Sequence, residues 1–208
     1  MSAKSLSDFN KKFIITRYSA IEGGYVFDPK DLGGETNHGV TKALAEYHKK
    51  DLVAKFGWDG TMKNLSKDMA YWIYDVAFWT KMRCDDLFAI HPLLADKVFD
   101  IGINGGRIRG IGFMQEFLNV MNNEQKLYKD LTVDGGNGNI TMTALNGYVK
   151  ARGTAGIKIL LHGLIARQTA HYLEISIGRE ANERFTYGWY TRAFDSGVEY
   201  NKVMGLYS

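Results

Sequence analysis

Between Ile21 and Thr41 the chain concentrates five glycines (23, 24, 33, 34 and 39) and one of its two prolines, Pro29, so no regular helix can cross this stretch. Apolar residues on both sides recur at helical spacing. A chain built this way must leave a helix, turn back on itself and re-enter helices. On the N-terminal side Phe9, Phe13, Ile14, Tyr18 and Ile21 fall on one helical face, with Ser5 or Ser7 as cap and Gly23-Gly24 as a left-handed stop. Within the break, Tyr25-Val26-Phe27 has strand character and Asp28-Pro29-Lys30-Asp31 reads as a turn. Gly33-Gly34 through Val40 reads as a returning strand or irregular loop, and Thr41 as the N-cap of a helix through Leu44, Tyr47 and His48.

The second proline, Pro92, suits the first position of a helix running through Val98 and Ile101 to Gly105-Gly106. Before it, Ser66 caps a helix apolar on nearly all sides, with Met69, Trp72, Ile73, Val76 and Trp79, hence a buried one. After it comes a helix over 107–120 with Phe113, Phe117 and Leu118 on one side. A tight loop over 133–139 and a short helix capped by Thr141 follow. A break at Gly153 to Gly156 precedes a long helix over 157–175, and a last helix follows a turn at Gly188. The fold class is mainly α (α+β), with a small β-hairpin after the first helix. No linker or repeat separates domains, so 1–98 and 99–208 are expected to be two regions sharing one core.

Composition narrows the function. A 45% hydrophobic, 13% aromatic chain of 208 residues packs a core. Its net charge of +3, spread without runs, is compatible with an anionic polymer but does not mark a nucleic-acid binder. Cys84 is the only cysteine, so no internal disulfide forms. The N-terminus has no apolar run of signal-peptide length, and no segment reaches the ~18 apolar residues of a membrane span. The expectation is a protein made in the cytoplasm, with no stable membrane insertion.

The chemistry-bearing cluster is Glu22 with Asp28, Asp31 and Glu35. Glu22 sits on the last turn of the first predicted helix, where the partial negative charge of the helix end disfavours a carboxylate. Apolar neighbours Ile21 and Tyr25 add desolvation, and both effects raise its pKa, as a general acid needs. Glycoside hydrolysis uses such an acid and a second carboxylate that activates water or attacks. The plain alternative is a set of solvated acids on turns. Elsewhere, His38, His48, His91, His162 and His171 are isolated, and no HExxH, P-loop or G-x-S-x-G motif occurs. The loop Asp134 to Asn139 has glycines where calcium ligands belong. No metal and no cofactor are expected.

The run EGGYVFDPKDLGGETNHGVT resembles the signature of glycoside hydrolase family 108, the N-acetylmuramidase endolysins. FDIGINGG (99–106), FMQEFLN (113–119), LTVDGGNGNITMTAL (131–145) and RFTYGWYTRAF (184–194) resemble the predicted peptidoglycan-binding region of that family. The resemblance implies a lysozyme-like helical fold and cleavage of the β-1,4 bond between N-acetylmuramic acid and N-acetylglucosamine, with Glu22 as general acid. By similarity to phage-type lysozymes it implies Asp31 and Thr36 as the catalytic partners on the hairpin, with Asp28 competing for the aspartate role. Tyr25, Asp28, Asn37 and Asn104 are candidate substrate contacts. The family also implies a monomeric bacteriophage enzyme of host cell lysis, antimicrobial in effect. It would wait in the host cytoplasm until a holin opens the membrane, with peptidoglycan its only macromolecular partner. The alternative is a non-enzymatic cell-wall-binding or secretion-accessory protein. An amidase or peptidase would need a metal or thiol site that the motifs do not supply.

Overall fold

A computed structural model describes residues 5–21, 24–27 and 34–205, and these form two compact units, one within 10–81 and one within 82–205 joined by residues 5–9. Both are mainly helical, and a small antiparallel sheet follows the first helix, as the glycine-rich break requires.

In the first unit α1 (Lys11–Ile21) is capped by Asn10, whose side chain accepts from the Phe13 N–H at 2.9 Å. Ser5 instead opens a separate 3₁₀ turn, Leu6–Asp8, so the predicted single helix from Ser7 is two elements. Strands β1 (Val26–Phe27), β2 (Glu35–Asn37) and β3 (Val40–Thr41) lie side by side in that order. The β2–β3 connection is two residues, His38 and Gly39, both at positive φ (49° and 74°). This is the backbone twist that closes a two-residue hairpin, and glycine takes it without strain. Thr41 caps α2 (Lys42–Tyr47) as expected, accepting from Leu44 N–H at 3.3 Å. α3 (Lys49–Phe56) stops at Gly57 in the left-handed region. Ser66 caps α4 (Lys67–Tyr74), which continues as a π-helical turn, Asp75–Trp79, with Trp79 fully buried. The core gathers Ile14, Ile15, Tyr18, Val40, Leu52, Ile73 and Trp79.

The second unit contains α5 (Cys84–Ile90), α6 (Pro92–Gly105), α7 (Arg107–Val120), α8 (Asn139–Ile177) and α9 (Glu183–Val203). Pro92 opens α6 as predicted, and His91 caps it, its Nδ1 accepting from Leu93 N–H at 3.3 Å. All ten residues from Leu93 to Gly102 are buried, which makes α6 the central helix of this unit. α7 crosses it where both are glycine. A Cβ on Gly110 would lie 2.8 Å from the Val98 carbonyl and 3.1 Å from Gly102 Cα, so only glycine permits this approach. The expected division at residue 98 falls inside this helix. Val98, Ile101 and Phe113, read as half of a shared core, are buried together in the second unit.

Two predicted boundaries move, and one helix has no clear signal in the sequence. α8 begins at Asn139, so Thr141 lies within its first turn and caps nothing, while the predicted break is met at Gly153, where non-helical backbone (φ 57°, ψ −151°) separates two helical segments before the end at Ile177. The Thr141 hydroxyl bonds back to Gly136 O at 2.8 Å. α9 passes straight through Gly188, because burial of Ala193, Ser196 and Tyr200 outweighs one glycine's helix penalty of ~1 kcal/mol. α3 was missing from the sequence reading, since its lysines dilute the apolar pattern.

Candidate active site

Glu22, the residue after the last of α1, lies outside the described residues, as do Asp28 and Asp31. The structure defines the frame around them. β1 and β2 pair as Val26↔Thr36 and Phe27↔Glu35, and β2 and β3 as Thr36↔Thr41 and Asn37↔Val40. Side chains alternate along a strand, so Val26, Thr36 and Thr41 share one face of the sheet while Phe27, Glu35, Asn37 and Val40 share the other. Thr36 and Asn37, both candidate site residues, therefore point to opposite sides.

Each face has its own chemistry. On one, the half-buried Thr36 hydroxyl has, among the described residues, only a long contact, 3.4 Å, to the Gly34 carbonyl. On the other, Asn37 is 3% exposed and donates through Nδ2 to the carbonyls of Met62 at 2.7 Å and Leu65 at 3.2 Å. These bonds tie β2 to the 3₁₀ turn Met62–Asn64 and leave the nitrogen nothing for a ligand. Asn37, expected to touch substrate, is placed to hold the hairpin instead, because its position on the strand turns it into the core. Asn37→Leu is expected to lower stability by about 1–3 kcal/mol through the carbonyls it orphans, read by urea unfolding. Thr36→Val is expected to leave the unfolding midpoint nearly unchanged.

Glu35 is the one acid of the sequence cluster whose surroundings are described. Its Oε2 is 2.9 Å from Lys42 Nζ, and this hydrogen-bonded pairing, against slight desolvation, holds the carboxyl below its ordinary range. Tyr25 acts in the same direction, after Lys42. Tyr25 in turn has a raised pKa, from partial desolvation and then from the Glu35 charge, and its ring lies 5.1 Å from Lys63 Nζ. The Lys42 pairing favours the anionic form of Glu35, the opposite of what a general acid needs. Tyr25, Val26 and Phe27 are 37%, 53% and 61% exposed, an apolar edge open to solvent.

Asn104 belongs to the second unit. It projects from the last turns of α6 and donates to the Asp100 carbonyl at 2.8 Å and to Asp100 Oδ1 at 3.1 Å. Its amide is therefore bound up with a cluster the sequence reading missed. Asp100 and Lys97, both with 0% side-chain exposure, pair at 3.0 Å, Arg192 of α9 reaches Asp100 Oδ1 at 2.9 Å, and Gln168 of α8 reaches Oδ2 at 3.2 Å. Burial alone would raise the Asp100 pKa. The charges of Lys97 and Arg192 and the hydrogen bonds of Lys97 and Gln168 outweigh it and hold the group at about 2. The signal was present in the run Leu93 to Gly102, where two aspartates and a lysine interrupt an otherwise apolar helix.

Among the described residues no three His, Cys, Asp or Glu side chains converge as metal ligands, and no helix is long and apolar enough to cross a membrane.

Residues 15–106 match the family described as Glycosyl hydrolase 108, and residues 109–194 match the family described as Predicted Peptidoglycan domain. No curated protein matches the chain. Among solved structures, that of Brucella abortus SagA is similar over 93% of this chain and 94% of its own, with 25% identity and a TM-score of 0.65. The first match holds the whole glycine-rich break with its acids, and the second begins just inside α7. The two matches place a glycosyl hydrolase 108 region ahead of a predicted peptidoglycan domain and support a glycoside hydrolase acting on peptidoglycan, on a mainly helical, lysozyme-like fold.

Proposed function

We propose that the chain is an N-acetylmuramidase, hydrolysing the β-1,4 bond between N-acetylmuramic acid and N-acetylglucosamine with Glu22 as general acid. The observation that supports this best is the fate of Glu35. Of the four acids in the break, it is paired with Lys42, which favours its anionic form. Glu22, Asp28 and Asp31 then share the proton-handling roles. Glu22 gives its proton to the glycosidic oxygen as the C–O bond breaks, and positive charge develops on the sugar ring. Asp31 activates water or stabilises that charge, with the Thr36 hydroxyl as its helper, and Asp28 is the rival for this part. Tyr25 and the exposed apolar edge of β1 form one wall for the glycan, while Asn37 positions the hairpin. Asn104, whose amide is engaged by Asp100, is given no substrate contact in this reading. The enzyme works as a monomeric bacteriophage endolysin, released from the host cytoplasm by a holin.

Mass spectrometry of fragments released from purified peptidoglycan tests the bond. Reducing N-acetylmuramic acid ends are expected. Reducing N-acetylglucosamine ends, or free stem peptides, would overturn the muramidase assignment, and a zymogram without clearing would favour a non-enzymatic wall-binding protein.

A further inference from the structure

An open surface groove of about 300 Å³ lies in the second unit where α8 is interrupted at Gly153, lined by Met121, Tyr148, Ala151, Arg152, Ala155, Gly156 and Ile159, of which Ala151, Arg152, Ala155 and Ile159 are exposed. Gly153 has φ 57° and ψ −151°, a conformation open essentially to glycine alone, so the interruption is written into the sequence. Apart from one cation, the lining side chains are small or apolar.

That cation is Arg152. One of its terminal nitrogens donates to the Met121 carbonyl at 3.3 Å, and the guanidinium carbon lies 5.8 Å from the centre of the Tyr148 ring. The ring is itself held, because the buried Tyr148 hydroxyl donates to the Gly156 carbonyl at 2.9 Å. Among the described residues Arg152 has no carboxylate partner, and its remaining N–H groups are unspent. A guanidinium steered into place, beside small apolar walls and without a counter-ion, suits a carboxylate next to a small apolar group. A sugar ring would need several polar partners, which these walls do not supply. The volume, at the small end of the ~300–1,000 Å³ range of ligand pockets, also fits a terminal group better than a disaccharide.

We propose that this groove binds the D-alanyl carboxylate terminus of a peptidoglycan stem peptide, Arg152 pairing with the carboxylate while Ala151, Ala155 and Ile159 receive the methyl group. The proposal rests on peptidoglycan as the substrate and gives the second unit a contact with the peptide, separate from the glycan chemistry of the first.

The test uses the full chain and the soluble probe diacetyl-L-lysyl-D-alanyl-D-alanine, titrated by calorimetry or NMR. Arg152→Gln is expected to weaken binding by about tenfold or more, as loss of a hydrogen bond between charged groups does. Ala155→Leu, which fills the groove and keeps the charge, is expected to weaken it comparably. Both variants are expected to retain the wild-type melting midpoint and to raise KM on intact peptidoglycan without lowering kcat. Equal probe affinity in wild type and both variants, or no binding by a wild type that digests peptidoglycan, would overturn the proposal and leave the hydrolase reading intact. Arg152-dependent probe binding by a wild type that cleaves no glycan would uphold the groove and remove the muramidase reading.

Discussion

Glu22→Gln is expected to lower the rate of peptidoglycan hydrolysis by roughly 10²–10⁴-fold, the usual worth of a positioned general acid, with an unchanged melting midpoint. The amide keeps the shape of the carboxyl but has no acidic proton for the departing oxygen. Loss of turbidity of purified sacculi measures it, and lysis at the wild-type rate would remove Glu22 from the mechanism. The same assay separates the hairpin aspartates. Asp31→Asn is expected to be severely impaired and Asp28→Asn mildly, and the reverse order would transfer the second role to Asp28. An acid must be protonated to act, so the wild-type rate is expected to fall as pH rises through the Glu22 pKa.

Asp100→Ala is expected to destabilise the chain by about 3–5 kcal/mol, because it leaves Lys97 buried and uncompensated and strips Arg192 of its carboxylate partner. Urea unfolding of the full chain reads the change, and a loss under about 1 kcal/mol would show that the cluster is not a structural tie. The pH dependence has a definite sign. The folded pKa of Asp100, about 2, lies below its ordinary 3.8. Its contribution is therefore complete above 3.8 and is lost as pH falls from 3.8 through about 2. Wild-type stability should drop across that window by more than that of Asp100→Ala. The same cluster joins α6 to α8 and α9, since Lys97 and Asp100 come from the first, Gln168 from the second and Arg192 from the third.

Much of the architecture was legible before any coordinates. Thr41, Ser66 and Pro92 mark helix starts by local chemistry, and each starts one in the structure. Boundaries that depended on one residue's local preference moved. Thr141 could cap a helix, but α8 began two residues earlier, and Gly188 could end one, but the packed face of α9 carried the helix across. Local propensities amount to ~1 kcal/mol or less per residue, whereas burying a large apolar side chain contributes about 1.5–3 kcal/mol.

By itself the sequence determined that a helix must break at Gly23-Gly24, return through a hairpin and give way to helices, because glycine, proline and capping residues act on their own neighbours. It also placed four acids in that break, and the family resemblance carried by the same run agrees with the matches to the hydrolase and peptidoglycan families. Only the tertiary structure decided what those side chains can do. Strand alternation sent Thr36 and Asn37 to opposite faces, Lys42 paired with Glu35, and Arg192, distant in sequence, reached Asp100. A side chain's charge and bonding depend on what surrounds it in space, and those partners come from segments whose meeting no local pattern records.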